Sequence, residues 1–255
     1  MKLSIIVPFL NSHEIVRRQI LHLDRMDLPN DVEILFMDDG SKPPLLSIKW
    51  PYLANIFIPN FQIHATNDFR PWTSSLARNT GAKLAQGEYL LMTDGDYILS
   101  RESIMQARDF TGDRLGFRRQ FGVLDEEGNF TQDHQILLQW GLSPSRLREK
   151  GAKMPPHPNN FVIRAELFHE MGGYREDLIL TRPYPQGEDR YFKKQWLKFV
   201  REGRAHEEAV DNRPTIFMFP NGQFCGDVDA NPFGLFHSLS RKTPENHWYS
   251  HARYS

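Results

Sequence analysis

The fold is decided by residues 77–96, which read ARNTGAKLAQGEYLLMTDGD. A helix is predicted to enter this stretch from an N-cap at Thr73 or Ser74 and to close at Gly87, because hydroxyl side chains favour helix starts and glycine favours helix ends. The next residues, Glu88–Thr93, are largely apolar and predict a buried strand. That strand leads directly into two aspartates separated by one glycine.

The N-terminal region predicts a β-α-β unit that joins the same sheet. Leu3–Val7 and Val32–Met37 are apolar strand patterns, and Ser12 is expected to cap a helix that runs to about Met26 between them. A short β-α-β connection implies a parallel sheet with a right-handed crossover. The sequence therefore predicts an α/β fold with a mainly parallel central sheet flanked by helices, and ligands at the carboxyl ends of its strands.

The rest of the chain is less regular. Residues 42–72 are rich in proline, and a short strand over Asn55–Ile58 is the one element expected there. Later elements are predicted as a hairpin over Arg118–Phe130 that turns at Glu126–Asn129, a strand over Phe161–Ile163, a helix over Ala165–Met171 and a helix from Glu188 to Gly203.

Composition limits the class of protein. The 255 residues are 40% apolar and 25% charged, which fits one large domain or two small ones. A formal net charge of -1 gives no global basic field for nucleic acid or an anionic membrane. The single cysteine, Cys225, excludes an internal disulfide and suits a reducing, cytoplasmic location. No apolar run is long enough to span a bilayer, so a membrane-bound acceptor would require peripheral attachment or a partner.

Asp94 and Asp96 are the sharpest candidate site. If the chain is extended there, residues two apart point the same way and both carboxylates can meet one cation. Hard oxygen ligands select Mg²⁺ or Mn²⁺, which can bridge a diphosphate. The alternative is a plain turn, because Asp-Gly between apolar runs is also a hairpin signal.

Other charged residues have weaker signals. Asp38 and Asp39 follow a buried strand and can accept bonds from a base or ribose, or merely form a turn. Arg78 can pair with phosphate or belong to a solvated helix face. Glu188 and Asp189 begin a helix, where acidic residues are favoured by the dipole and where a general base stays ionised.

The chain lacks several common catalytic motifs. It has no G-x-G-x-x-G after a strand, no G-x-x-x-x-G-K-[ST], no G-x-S-x-G and no H-E-x-x-H. These absences argue against the commonest dehydrogenases, P-loop enzymes, serine hydrolases and zinc peptidases.

Taken in order, the motifs resemble those of the family 2 glycosyltransferases of the GT-A fold. Residues 4–11 (SIIVPFLN) look like the family's first strand and its exit, and residues 36–41 (FMDDGS) look like its Asp-Asp-Gly-Ser. Residues 77–81, 85–89 and 93–96 resemble its Ala-Arg-Asn-x-Gly helix, Gly-Glu-Tyr strand and Asp-x-Asp metal motif, in the same order and spacing.

The resemblance continues into the second half of the chain. Residues 172–174 and 187–189 look like the family's acceptor-side Gly-Gly-Phe and Glu-Asp elements. The sequence departs from the family pattern at two places. The proline-rich segment 42–72 matches poorly, which leaves the pocket for the nucleotide base undefined. Arg190 follows the Glu-Asp pair, where the family has no fixed residue.

The resemblance implies a nucleotide-diphosphate sugar donor, most simply a UDP-sugar, a Mn²⁺ or Mg²⁺ cofactor, and inversion at the anomeric carbon. Asp189 would take the proton from the acceptor hydroxyl and Glu188 would position the acceptor. Asp39 would hold the nucleoside, with Asp38 as its substitute. The implied donor-binding set is Pro8, Asn11, Asp38, Asp39, Arg78 and Asp94, and the implied metal ligands are Asp94, Asp96 and His237.

The same resemblance divides the chain by role. Residues 1–100 are expected to form the nucleotide-sugar-binding half and residues 101–220 the acceptor-binding half of one domain. Residues 221–255, rich in aromatics and histidine, are expected to close over the donor as a lid, with His237 either as a further metal ligand or as a surface histidine.

Two rival functions remain open at this level. One is a sugar nucleotidyltransferase, although no Gly-rich, Arg-containing phosphate loop follows Val7. The other is a non-catalytic subunit that binds a nucleotide-sugar or glycan, although Asp94, Asp96 and Asp189 are all present. The acceptor is equally open: a glycan, a protein, a lipid-linked sugar or a modified nucleic-acid base.

Overall fold

A computed structural model describes residues 1–49, 56–68, 73–142, 156–177, 187–206 and 213–220. The strands are β1 (Leu3–Phe9), β2 (Val32–Asp38), β3 (Phe61–Ala65), β4 (Tyr89–Met92), β5 (Tyr97–Leu99), β6 (Arg114–Gly116), β7 (Arg118–Phe121), β8 (Val123–Leu124), β9 (Phe130–Thr131), β10 (Phe161–Arg164) and β11 (Thr215–Met218). The α-helices are α1 (His13–Asp24), α2 (Ser74–Leu84), α3 (Arg101–Arg108), α4 (His134–Gln139), α5 (Ala165–Glu170) and α6 (Glu188–Arg201).

The main sheet is mostly parallel, as predicted. Its strand order is β3-β2-β1-β4-β10-β6, and β3, β2, β1 and β4 run parallel to one another. β10 enters antiparallel between β4 and β6. The four parallel strands therefore end at one edge, and that edge is where β1, β2 and β4 deliver the sequence motifs.

Helices cover both faces of this sheet. Alternate residues of β1 and β2 divide between two buried clusters, because neighbouring side chains of a strand point to opposite faces. On one face the strands pack against α1 and α3, through residues such as Ile20 and Ile104. On the other face they pack against α2, α5 and α6, through Ala77, Phe168 and Trp196.

A second sheet of three strands adjoins the main one. β11 pairs antiparallel with β5 and parallel with β7, while β8 and β9 form a separate hairpin. The predicted hairpin over residues 118–130 is therefore only partly right. Its turn is present, since Gly128 N donates to Asp125 O at 3.1 Å, but β7 pairs with a distant strand.

Three local predictions were wrong in detail. The third parallel strand is Phe61–Ala65, and residues 56–58 form no strand. Ser12 precedes α1 but its hydroxyl donates to Leu10 O at 2.9 Å instead of capping the helix. Thr73 precedes α2 without a capping bond, because its hydroxyl turns to Asp39. For the strand and for Thr73 a contact distant in the chain outweighed the local signal, whereas Ser12 bonds to a neighbour two residues away.

Candidate active site

The predicted donor residues meet at the carboxyl edge of the parallel strands. β1 leads to Asn11, β2 to Asp38 and Asp39, and β4 to Asp94. β1 is hydrogen-bonded to both neighbours, so these three strand ends lie side by side. The edge is where an open α/β sheet places its ligands.

The two aspartates after β4 occupy a turn and not an extended strand. Tyr97 N donates to Asp94 O at 3.1 Å, which closes the turn. The turn moves the chain from the main sheet to β5, so it is not the hairpin that Asp-Gly suggested. Gly95 is required, because a Cβ there would lie 2.6 Å from the Phe9 ring. Burial and the neighbouring Asp94 charge raise the pKa of Asp96 to about 7.

Arg78 is buried and joins the two halves of the site. It lies in the middle of α2 with only 2% of its surface exposed, so the solvated-face alternative is wrong. It donates to Asp94 Oδ1, and its second terminal nitrogen lies 3.8 Å from Glu188 Oε1. Burial alone would lower the pKa of Arg78, but the charges of Asp94 and Glu188 raise it above its ordinary value.

Asp38 and Asp39 have different surroundings although both are buried. Asp38 accepts hydrogen bonds from the backbone N–H of Ser41 at 2.8 Å and of Leu45 at 2.7 Å, so its carboxylate holds the loop after β2. Asp39 accepts from the hydroxyl of Thr73, at the start of α2. The assignment of the nucleoside to Asp39 stays a prediction.

The β1 exit is tied to the same loop. Asn11 has a positive φ of 51°, its backbone N–H donates to Ser41 Oγ at 2.9 Å, and its side-chain oxygen accepts from Lys42 N at 2.7 Å. Pro8 is buried within β1 and pairs with Met37. Both residues therefore shape the loop pair that borders the predicted donor pocket, and their contact with a donor stays a prediction.

Glu188 and Asp189 start α6 with opposite exposure. Glu188 is buried, and its Oε1 accepts from Ser74 Oγ at 2.7 Å. Asp189 is partly exposed, and among the described residues its carboxylate accepts only from the backbone N–H of Arg190, at 2.7 Å. Glu188 is thus the more buried carboxylate of the pair and is held by Ser74, while Asp189 is the more exposed one.

A second set of hydrogen bonds joins α2 to the loop that follows α5. Asn79 donates to Tyr174 O at 2.8 Å and to Glu176 Oε1 at 2.8 Å, and its oxygen accepts from Tyr174 N at 2.9 Å. Gly173 has a φ of 64°, and a Cβ there would lie 2.6 Å from Asn79 Oδ1. The Gly-Gly-Tyr and Ala-Arg-Asn motifs therefore contact each other directly.

Sequence reasoning missed His157. Its Nδ1 lies 3.5 Å from Asp94 Oδ2, and its ring packs beside Tyr97 with centroids 6.0 Å apart. Burial lowers the pKa of His157, although Asp94 and Asp189 act to raise it. The proline-rich loop that holds it gave no signal, because its approach to Asp94 depends on β10 pairing with β4.

Arg119 was missed for the same reason. It donates to Tyr97 Oη at 3.1 Å from β7, and its charge acts to lower the pKa of Asp96. The strand pattern predicted β7 but not its position beside the aspartate turn. The site thus contains two arginines that neighbour the carboxylates on either side of residue 95.

His237 and the predicted lid over residues 221–255 lie outside the described residues. Within the described ranges, no three His, Cys, Asp or Glu side chains form a metal site by themselves. Also within those ranges, no helix is both long enough and apolar enough to span a bilayer.

The comparisons with known proteins agree with this geometry. A family model described as Glycosyl transferase family 2 matches residues 4–170. The crystal structure of Staphylococcus aureus TarS 1-349 in complex with UDP superposes with a TM-score of 0.58 at 20% identity, over 86% of this chain and 60% of that one. The fold is therefore that of the GT-A glycosyltransferases.

Sequence relatives point the same way. Poly(ribitol-phosphate) beta-N-acetylglucosaminyltransferase TarS of Staphylococcus aureus (strain MW2) is 28% identical over 113 residues, which are 43% of this chain and 19% of TarS. Poly(ribitol-phosphate) beta-glucosyltransferase of Bacillus spizizenii is 28% identical over 115 residues, 44% of this chain and 17% of its own length. The chain spans about a fifth of the length of these relatives. It belongs to glycosyl transferase family 2, because the family model covers most of it.

Proposed function

We propose that the protein is a metal-dependent, inverting glycosyltransferase that transfers a sugar from a UDP-sugar to an acceptor hydroxyl. The observation that carries the proposal is the charge chain at the carboxyl edge of the sheet. Asp94 and Asp96 follow β4, Arg78 joins Asp94 to Glu188, and Asp189 adjoins Glu188 with its carboxylate partly exposed. One side of the chain suits a diphosphate and the other suits a proton acceptor.

The residues fit a divalent cation. The side-chain carboxylate of Asp96 accepts no hydrogen bond from any other described residue, and its raised pKa reflects burial beside a second carboxylate. Two neighbouring carboxylates are a hard-oxygen donor set, and Mg²⁺ or Mn²⁺ is commonly held by one or two carboxylates plus substrate phosphates. Asp94 and Asp96 would hold the cation, which when bound offsets the charge on the leaving diphosphate.

The chain's own residues would do the remaining work. Asp39 accepts hydrogen bonds from the nucleoside. Asp189 accepts the proton of the acceptor hydroxyl as that oxygen attacks the anomeric carbon opposite the leaving diphosphate. Glu188, fixed by Ser74, orients the acceptor. His237 as a further ligand to the cation stays a sequence-based proposal.

The relatives guide the choice of donor and acceptor for a first test. Both are named as transferases to poly(ribitol-phosphate), one for N-acetylglucosamine and one for glucose. UDP-GlcNAc and UDP-glucose are therefore the first donors to test, and ribitol phosphate oligomers the first acceptors. Water serves as a default acceptor, since many transferases slowly hydrolyse their donor.

A thermal-shift screen of both donors with Mn²⁺, followed by assay of UDP release, tests the proposal. A ligand at ~100 times its Kd stabilises the folded state by about 2.7 kcal/mol. Stabilisation that requires Mn²⁺, together with UDP release, supports the proposal. Diphosphate release from UTP and a sugar 1-phosphate would support a nucleotidyltransferase instead, and stabilisation without turnover would support a non-catalytic subunit.

A further inference from the structure

Asp94 is approached by two side chains from different parts of the fold. Arg78 of α2 donates to Oδ1, and Nδ1 of His157 lies 3.5 Å from Oδ2. Only 22% of the Asp94 side chain and 21% of the His157 side chain are exposed, so the pair is largely enclosed. A nitrogen of a protein side chain therefore lies near each oxygen of this one carboxylate.

The position of His157 is built into the fold. Asn160 N donates to His157 O at 3.0 Å, which closes a turn before β10. Thr93, the residue before Asp94, donates its hydroxyl to Asn160 Oδ1 at 3.0 Å. Tyr174 donates its hydroxyl to Asn159 Oδ1, also at 3.0 Å. These bonds fix the turn to the end of β4.

We infer that His157 is a positioning residue for the metal-binding carboxylate: its Nδ1–H holds Asp94 Oδ2 while Arg78 holds Oδ1. The inference rests on the proposed function, and it gives that function a residue which the sequence motifs do not contain. A carboxylate oxygen has two acceptor positions, so a donor on each oxygen leaves one position on each for a cation. The plane of the carboxylate is then set before the cation arrives.

The tautomer follows from the competing contacts. The backbone N–H of Asn159 donates to the same Nδ1 at 3.4 Å, a contact that uses Nδ1 as an acceptor and competes with Asp94. A hydrogen bond to a carboxylate is charge-assisted and about twice as strong as a neutral one, so the proton belongs on Nδ1. The 3.5 Å separation from Asp94 is long, but such contacts commonly tighten when substrate binds.

Two substitutions separate the two ring nitrogens. His157→Asn places an amide N–H near the position of Nδ1, whereas His157→Gln places one near the position of Nε2. Calorimetry would measure the Kd of UDP with Mn²⁺ and of UDP with EDTA for the wild type and both variants, with GDP, CDP and ADP as further probes. His169→Gln is the matched control, because His169 is exposed on α5.

The inference predicts a metal-specific effect. Loss of a residue that orients a metal ligand typically costs 10- to 100-fold in metal affinity. His157→Gln should therefore weaken binding of UDP with Mn²⁺ by roughly 10- to 100-fold, while His157→Asn and the control stay within about threefold of the wild type. Affinity for UDP in EDTA should be equal in all four proteins.

Other results overturn the inference. Equal losses in the Asn and Gln variants, or wild-type affinity in both, would mean that Nδ1 does not act on Asp94. A loss that is as large in EDTA would indicate a structural role. If the Gln variant does not fold by circular dichroism, His157→Ala takes its place against Asn. No metal-dependent binding of any of the four nucleotides by the wild type would contradict the proposed function itself.

Discussion

The proposed donor side and the proposed acceptor side of the site are built in different ways. On the proposed donor side, Asp39 follows β2 and Asp94 follows β4, the strands on either side of β1, so their placement comes from parallel strands that end together. On the acceptor side, Glu188 and Asp189 begin a helix whose position depends on contacts with α2. Arg78 of α2 lies 3.8 Å from Glu188, and Phe192 and Trp196 of α6 belong to the same buried cluster as Ala77 of α2. The difference teaches that the proposed donor side is set by strand topology, whereas the proposed acceptor side is set by helix packing and side-chain contacts.

The largest expected effect separates chemistry from donor binding. Asp189→Asn should reduce sugar transfer or donor hydrolysis by roughly 10² to 10⁴-fold, the usual worth of a general base, and should leave the Kd for UDP with Mn²⁺ unchanged. Glu188→Gln should lose less activity, since Glu188 is buried and bonded to Ser74. Initial rates of UDP release measure the activity of both variants. A larger loss for Glu188→Gln, with donor binding intact, would reverse the two roles.

Changes on the donor side should act on binding. Asp94→Asn and Asp96→Asn each replace a carboxylate of the proposed cation site with a neutral amide. Loss of a residue that only orients a metal ligand costs roughly 10- to 100-fold in metal affinity, so loss of a ligand should weaken binding of UDP with Mn²⁺ by at least that factor. Calorimetry with and without EDTA measures this, and circular dichroism checks the fold. Unchanged affinity in both variants would exclude a cation at this turn.

The link between the two sides can be weakened without touching either carboxylate pair. Gly173→Ala forces a non-glycine residue to a positive φ and brings its Cβ against the Asn79 side chain. The backbone conformation alone costs about 1–3 kcal/mol. Urea unfolding should show that the free energy of unfolding falls by at least this amount. Gly172→Ala is the control for the packing contribution, because Gly172 also has a positive φ but a Cβ there would meet no atom within 4 Å. Equal losses would mean that contact with Asn79 adds nothing.

The smallest expected effect is a pH dependence of donor binding. Burial beside Asp94 raises the pKa of Asp96 to about 7, and a cation needs the ionised carboxylate. Affinity for UDP with Mn²⁺ should therefore be nearly constant above pH 8 and fall by about tenfold per pH unit well below pH 7, as one proton competes with the cation. Affinity for UDP in EDTA over the same range is the control. A flat profile with Mn²⁺ between pH 8 and 5.5 would contradict the assignment of Asp96.

Sequence patterns predicted the donor side well because its signals are local. Strand patterns, glycines and the acidic residues after each strand are contiguous, and β1, β2 and β4 all form near their predicted bounds. The glycine in the Ala-Arg-Asn-Thr-Gly motif has a packing reason: a Cβ at Gly81 would lie 2.6 Å from Ile6. Such close contacts explain why the motif marks this fold.

The missed features depend on contacts that are distant in sequence. β3 follows a proline-rich segment, and its pairing with β2 decided its place. His157 reaches Asp94 only because β10 inserts beside β4, and Arg119 reaches Tyr97 only because β7 joins β11. Arg78 is buried beside two carboxylates, which excludes the solvated helix face, while its contact with a phosphate stays a prediction. No local pattern encodes these approaches.

The central claim is that a cation and a nucleoside diphosphate share the Asp94–Asp96 turn. Crystals soaked with UDP and Mn²⁺, with data collected at the manganese absorption edge, test it most directly. The account predicts one anomalous peak at about 2.0–2.2 Å from a carboxylate oxygen of this turn and from the diphosphate, the range for a small divalent cation with oxygen ligands. A well-ordered diphosphate at the turn with no anomalous peak, or a peak bound elsewhere, would contradict it.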